Sequence, residues 1–114
     1  MKKIAILRCL HSNDVCAGAA CFDAFNNKKA YFAEYQEELQ LVAFWSCNGC
    51  EPLEFDKIGL EEKIERILAC KIDALHIGVC TQIKEKGIVK ECPVITEIAR
   101  RFEEKGIRVV RGTH

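Results

Sequence analysis

The sequence has no surplus of charge of either sign. Lysine and arginine together number 17, as do aspartate and glutamate, so the formal net charge is zero. General nucleic-acid binders normally carry a basic surplus, so we expect no nucleic-acid partner. The absence of net charge, together with a hydrophobic fraction of 49%, also excludes an intrinsically disordered chain.

Long apolar runs are missing as well. The run that opens the sequence, residues 4–7, is interrupted by Arg8. It is too short for the apolar region of a secretory signal, which needs about 7–15 residues, and no stretch reaches the roughly 20 residues that span a membrane. We therefore expect no membrane association and a cytoplasmic protein whose thiols are kept reduced.

Phosphate-binding motifs are absent too. The sequence contains neither a Walker loop nor Gly-x-Gly-x-x-Gly, so a nucleotide enzyme is not expected. Cysteine-dependent phosphatases place an arginine six positions after a strand-end cysteine. Val15 stands at that distance from Cys9, and Lys86 from Cys80, so this chemistry is excluded as well. With no repeat, linker or low-complexity tract, residues 1–114 should form a single domain.

Cysteine, by contrast, is abundant. In a small secreted chain eight cysteines would predict four disulfides, whereas in the cytoplasm they favour metal binding or thiol chemistry. The eight are Cys9, Cys16, Cys21, Cys47, Cys50, Cys70, Cys80 and Cys92.

Apolar β-branched runs alternate with helical patterns. The nearly continuous runs 4–9, 39–46, 73–80 and 107–111 predict strands that are covered on both faces. Helical spacing predicts one helix after an N-cap at Asp56 and another from Pro93 to a stop at Gly106; a less regular one, over 22–35, is broken at Asn26-Asn27. This order predicts an α/β fold: a short doubly wound parallel sheet of about four strands, order 2-1-3-4, with helices on both faces.

On that frame, seven cysteines fall at the carboxyl edge of the sheet, where open α/β sheets bind ligands. Cysteines follow the first three strands or lie in the loops beyond them, and only Cys70 is placed at the opposite edge. Clustered thiolates repel one another unless a cation neutralises them, and zinc and iron–sulfur clusters use this ligand type. The predicted metal ligands are Cys9, Cys16, Cys21, Cys47, Cys50, Cys80 and Cys92.

Other interpretations of these residues remain open. Cys9 and Cys80 could be small core residues, Cys16 and Cys21 plain loop residues, and Cys92 a helix cap. His11, His76 and His114 could be ligands or support the site, although a core role is the default for His76. Arg8 and Arg111 could reach solvent or neutralise a thiolate-rich site.

Six segments, spread over essentially the whole chain, carry a resemblance to a known family: Arg8-Cys9, Cys16 to Phe22, the central tetrad of residues 47–50, His76 to Cys80, Cys92-Pro93 and Gly112-Thr113-His114. In these segments the sequence resembles the CGGC-domain family of small prokaryotic proteins. The family is described as metal-binding because of its cysteines and histidines, so the resemblance implies a metal site but no substrate. Here the tetrad is Cys47-Asn48-Gly49-Cys50, with asparagine at the first glycine position; asparagine tolerates a left-handed backbone better than most residues.

Two main functions follow as hypotheses. The first is a cysteine-rich protein that holds an iron–sulfur cluster or zinc, with a redox, sensing or metal-handling role. The second is a thiol–disulfide oxidoreductase in which Cys47 attacks and Cys50 resolves. An inert, metal-stabilised partner module is a third alternative, so the sequence does not decide whether the protein is an enzyme.

Overall fold

The computed structural model describes residues 1–49 and 57–114, and its main layer is a four-stranded parallel sheet. The order β2-β1-β3-β6 confirms the predicted order of the four predicted strands, and hence the fold class. The six strands of the described residues are β1 (Lys2–Arg8), β2 (Leu39–Ser46), β3 (Ala74–Ile77), β4 (Gln82–Glu85), β5 (Ile88–Glu91) and β6 (Arg108–Val110).

The helices end where the sequence signals lie. Helix α1 (Ala19–Asn26) ends at the predicted Asn26-Asn27 break, and α3 (Pro93–Glu104) has Pro93 in its first turn. Gly106, with φ of +79°, follows α3 in the left-handed conformation that commonly ends a helix. Helix α2 (Lys57–Ala69) has the predicted apolar face, but its predicted N-cap, Asp56, lies outside the described residues. Short 3-10 turns cover Leu10–Asp14, Ala30–Phe32 and Val79–Thr81.

Each face of the sheet has its own apolar core. Side chains from α1 and the Ala30–Phe32 turn pack on one face, around Ile4 and Ile6. Side chains from α2 and α3 pack on the other face, around Ala5 and Leu7. Successive residues of β1 therefore face opposite layers, as the period of two requires, which explains the continuous apolar run. The two layers are called here the α1 layer and the α2–α3 layer.

The third strand is shorter than predicted, and the segment after it is not a plain loop. Strand β3 ends at Ile77 because the chain turns at Gly78, whose carbonyl accepts hydrogen bonds from the Thr81 amide (3.1 Å) and hydroxyl (2.8 Å). Beyond this turn β4 and β5 form an antiparallel hairpin. Its two-residue turn has positive φ at Lys86 (50°) and Gly87 (78°), as a type I′ turn requires.

Within residues 1–49 and 57–114, no helix combines the length and the apolar character needed to cross a membrane.

Candidate metal centre

Six cysteines of the described residues lie around the carboxyl edge of the parallel sheet. Cys9 and Cys47 directly follow β1 and β2; Cys80 lies in the 3-10 turn after β3. The others lie before α1, in its first turn and at the N-cap of α3; they are Cys16, Cys21 and Cys92. Cys50 lies outside the described residues, and no cysteine in the described part forms a disulfide.

Cys70 is apart from this group, as the sequence predicts. It follows the end of α2, is exposed, and its Sγ lies 3.4 Å from the carbonyl oxygen of Arg66. Helix α2 runs back from the carboxyl edge, so its last turn is at the opposite end of the sheet. This position makes Cys70 a natural control for the edge cysteines.

The order of the sheet places β1 next to β3 at its switch point. Cys9 and Cys80 follow these two strands. Burial is the main factor that raises the pKa of the half-buried Cys9 thiol; the nearby Cys47 and Cys80 thiols raise it further, because like charges oppose ionisation. Thiols from three separate strand ends therefore share one electrostatic environment.

A second group of thiols lies on the α1 side. The buried Cys21 Sγ is 3.2 Å from Thr113 Oγ1, and burial is the main factor that raises the pKa of Cys21. The Cys80 and Cys16 thiols add to that increase. Cys16 Sγ in turn accepts a hydrogen bond of 3.3 Å from the Gly18 amide. Cys80 is therefore a neighbour of both groups.

The buried cysteines are divided between the two layers. Cys47 and Cys92, 2% and 7% exposed, belong to the α2–α3 layer. Cys21, 4% exposed, belongs to the α1 layer. Cys9 and Cys80 lie at the sheet edge between these layers. Cysteines from both sides of the sheet therefore lie around this edge.

Basic side chains hold the cysteine-bearing loops in place. Arg8 donates hydrogen bonds to the Cys16 carbonyl oxygen (3.0 Å) and Asn13 Oδ1 (2.7 Å), with its guanidinium 5.1 Å from the centre of the Phe44 ring. At the far side of the edge, Arg111 Nε donates to Glu91 Oε2 at 2.9 Å, next to Cys92. The sequence left open whether these arginines reach solvent or neutralise thiolates; in the structure Arg8 is bonded to the loop after β1, and Arg111 to the hairpin strand β5.

Lys63 of α2 holds the central tetrad, a role that sequence reasoning missed. Its Nζ donates to the Ser46 carbonyl oxygen (2.9 Å) and to Asn48 Oδ1 (2.5 Å), on either side of Cys47. No sequence signal marks this lysine, because the contact depends on how α2 is rotated over the end of β2. Within residues 47–49, the described part of the tetrad, Gly49 is left-handed, with φ of +98°, whereas Asn48 is not.

His76 is a fully buried residue of β3 with protein partners at both ring nitrogens. Nδ1 lies 2.8 Å from the Gly112 carbonyl oxygen, which can only accept, so Nδ1 carries the proton. Nε2 then accepts from the Tyr35 hydroxyl at 2.7 Å. The ring stacks on Phe32, with centroids 4.3 Å apart. These contacts give His76 a structural role: it links β3 to the C-terminal segment that bears Thr113.

Burial is the main cause that lowers the pKa of His76; the Gly112 carbonyl partly opposes this and Arg108 reinforces it. Below about pH 6.5 the imidazole of His76 is protonated in the unfolded chain but stays neutral in the native protein. The free energy of unfolding therefore decreases as the pH is lowered, by at most about 1.4 kcal/mol per pH unit. In urea titrations at roughly pH 7.5 and 5.5, the wild type should lose more stability than His76→Gln, which cannot titrate there. Equal losses in the two proteins would contradict this prediction.

The other two histidines are exposed. His11 lies in the 3-10 turn after Cys9, and His114 follows the buried Thr113. Among residues 1–49 and 57–114, no group of three or more Cys, His, Asp or Glu side chains is already arranged to hold a metal ion. The thiols at the edge are neighbours, but they are not a preformed ligand set in this part of the chain.

Comparisons with other proteins extend over nearly the whole sequence. The profile of the CGGC domain matches residues 3–114. An uncharacterized protein of Methanocaldococcus jannaschii is 34% identical over 120 residues, a match that covers 98% of this chain and 86% of that protein. No solved structure matches the chain. The similarity is therefore not confined to the central cysteine tetrad.

Proposed function

The chain belongs to the CGGC-domain family, and we propose that it binds zinc or an iron–sulfur cluster through thiolates at the carboxyl edge of its sheet. The observation that carries this proposal is the convergence of free cysteines from separate strand ends and loops on one edge. Packing alone would not require cysteine at each of these positions. The predicted ligands are drawn from Cys9, Cys16, Cys21, Cys47, Cys50, Cys80 and Cys92.

The chemistry of these donors fits such a group. Thiolates are soft ligands that favour zinc, copper(I) and iron–sulfur centres over hard cations. One ion or cluster commonly takes four cysteines, so seven leave a surplus for a second ion, a cluster or transfer of the metal. This surplus favours metal handling, redox or sensing over a purely structural site.

Because the described thiols are not already arranged as a ligand set, binding should involve local closure of the cysteine-bearing loops. Arg8 and Lys63 limit how far those loops can move, since Arg8 is bonded to the Cys16 carbonyl oxygen and Lys63 to the carbonyl oxygen of Ser46, at the end of β2 next to Cys47. Their positive charges also lie beside the edge where thiolate charge would develop. Metal binding and local folding are commonly coupled in this way.

Thiol–disulfide exchange through Cys47 and Cys50 is less well supported. An attacking thiolate must be accessible and is usually activated by a cation or a helix N-terminus. Cys47 is 2% exposed and lies within the apolar α2–α3 layer.

The test is the metal and acid-labile sulfide content of protein purified without oxygen or chelator, with an absorption spectrum of the same sample. We expect stoichiometric metal. Iron with matching sulfide and a broad visible band would identify a cluster and favour redox or sensing; zinc without colour would indicate a zinc site. Protein with neither metal nor sulfide would contradict the proposal and favour thiol exchange.

A further inference from the structure

Cys80 differs from the other cysteines of the carboxyl edge in its exposure. In the described part of the chain it is the exposed member of the group, whereas Cys9 and Cys16 are half-buried and the others are buried. Among the described edge cysteines, Cys80 is therefore the one most open to a metal ion arriving from solvent. Cys70 is also exposed, but it lies at the opposite end of the sheet.

Gly78 provides the space in which the Cys80 sulfur lies. A Cβ atom built on Gly78 would be 3.3 Å from Cys80 Sγ, tighter than most real contacts, and 3.6 Å from the Leu7 carbonyl oxygen. Gly78 is the N-cap of the 3-10 turn and has an ordinary φ of −66°, so backbone conformation does not require glycine there. The sulfur is instead folded back over the end of β3, beside β1.

This position lies between the two groups of thiols. Cys9 and Cys47, at the ends of β1 and β2, form one group with Cys80; Cys16 and Cys21 form the other. The Cys80 thiol acts electrostatically on Cys9 and on Cys21, so it is near a member of each. A metal held by Cys80 is consequently close to one thiol of each group, the half-buried Cys9 and the buried Cys21.

We propose that Cys80 is the entry thiol of the site: it captures the incoming metal ion at the surface and passes it to the buried thiols. This inference rests on the proposed function. In the capture step the Cys80 thiol releases its proton to solvent, and its sulfur bonds to the metal as one bond to the donor chelator breaks. In the transfer step buried thiols lose their protons to solvent and bond to the metal in turn as the remaining chelator bonds break; the Cys80–metal bond then breaks, and the freed Cys80 thiolate takes up a proton from solvent.

The test is the rate of zinc uptake from a coloured zinc–chelator complex by reduced, metal-free protein under anaerobic conditions. Cys80→Ser should take up zinc about tenfold more slowly than the wild type, because the other edge cysteines in the described residues are half-buried or buried, and their thiols become fully accessible through local opening. Cys70→Ser should match the wild type. A wild-type rate in Cys80→Ser would overturn the entry role, as would complete loss of zinc, which would make Cys80 an indispensable ligand.

Gly78→Ala tests the same sulfur without removing it. The added methyl group should displace Cys80 Sγ by a few tenths of an ångström and slow uptake less than Cys80→Ser does. In the Cys80→Ser background the same change should have no further effect, because Gly78 acts through the sulfur. Additive effects of the two substitutions would contradict the assigned position of Cys80.

Brief alkylation of folded wild-type protein gives a measurement that does not depend on how a variant folds. Modification of the exposed Cys80 and Cys70, verified by mass, should slow uptake as much as Cys80→Ser does. The same treatment of Cys80→Ser should change nothing further. If the wild type takes up no zinc and is isolated without metal, both the proposed function and the entry role of Cys80 are wrong. If the wild type takes up zinc but Cys80→Ser does so at the same rate, only the entry role is wrong.

Discussion

Replacing both Cys47 and Cys50 with serine is expected to abolish stoichiometric metal binding. Cys47 follows β2 and is electrostatically coupled to Cys9, and the two-residue spacing lets a pair of cysteines chelate one ion. Removing two of about four ligands should lower the affinity by several orders of magnitude. Metal analysis of anaerobically purified protein, after removal of loosely bound ions, measures this directly.

The control for this variant is Cys70→Ser, which should keep the wild-type metal content. Because Cys47 is buried, a serine hydroxyl there also costs roughly 1–3 kcal/mol of stability. A second variant with alanine at both positions keeps the site apolar, and its circular dichroism spectrum shows whether the fold survives. Full metal content in a folded double variant would exclude the tetrad as a primary ligand pair.

Phe32→Ala is expected to lower the free energy of unfolding by about 3–5 kcal/mol. Phe32 is fully buried, stacks on His76 and meets the Phe25 ring edge-on, with centroids 5.4 Å apart. Its removal leaves a cavity beneath the Ala30–Phe32 turn, in the layer that also contains Cys21. The loss represents a large part of the roughly 5–15 kcal/mol that typically stabilises a domain, and urea denaturation followed by circular dichroism measures it.

The variant Phe32→Leu distinguishes the contribution of the filled core volume to stability from that of the aromatic stacking on His76. Leucine refills much of the cavity, so this variant should lose less than about 1.5 kcal/mol. If Phe32→Ala lost no more than Phe32→Leu, the α1 layer could collapse around the gap, and the cavity explanation would be wrong.

The sheet order could be predicted from the sequence because two simple patterns determine it. Continuous apolar runs indicated strands covered on both faces, and helical segments between them required parallel crossovers. Helix start and stop signals then indicated the end of α1, at Asn26-Asn27, and the start and end of α3, at Pro93 and Gly106. These are local signals, and the described structure confirms them.

The β4–β5 hairpin could not be recognised in the same way. Its strands are four residues each, and the exposed Ile88 and Val89 are adjacent, so no alternation of apolar and polar residues is visible. The Lys86-Gly87 pair is a weaker turn signal than Asn-Gly or Asp-Gly. The end of β3 was also missed, because apolar residues continue beyond the turn at Gly78.

The strand order allowed the general position of the site to be predicted, but not its detailed geometry. Strand ends placed Cys9, Cys47 and Cys80 at one edge, but their burial depends on how the layers pack. The hydrogen bond from Lys63 to Asn48 and the Thr113–Cys21 contact join residues that are distant in the sequence. Such contacts have no periodic signature and appear only once the layers are assembled.

The β4–β5 hairpin also reduces the conformational entropy that is lost when Cys80 and Cys92 are brought together. The Cys92 amide donates to the Thr81 carbonyl oxygen at 3.1 Å, which closes the hairpin at its base. If residues 81–91 were an unstructured loop, every added residue would raise the entropic cost of closing it. In a hairpin the two strands are paired along their length, so they meet at the base whatever that length is. The hairpin can therefore lengthen or shorten in steps of paired residues without moving either cysteine. The number of residues between these two cysteines is accordingly a poor signature of the site, whereas their positions on either side of a hairpin are a good one.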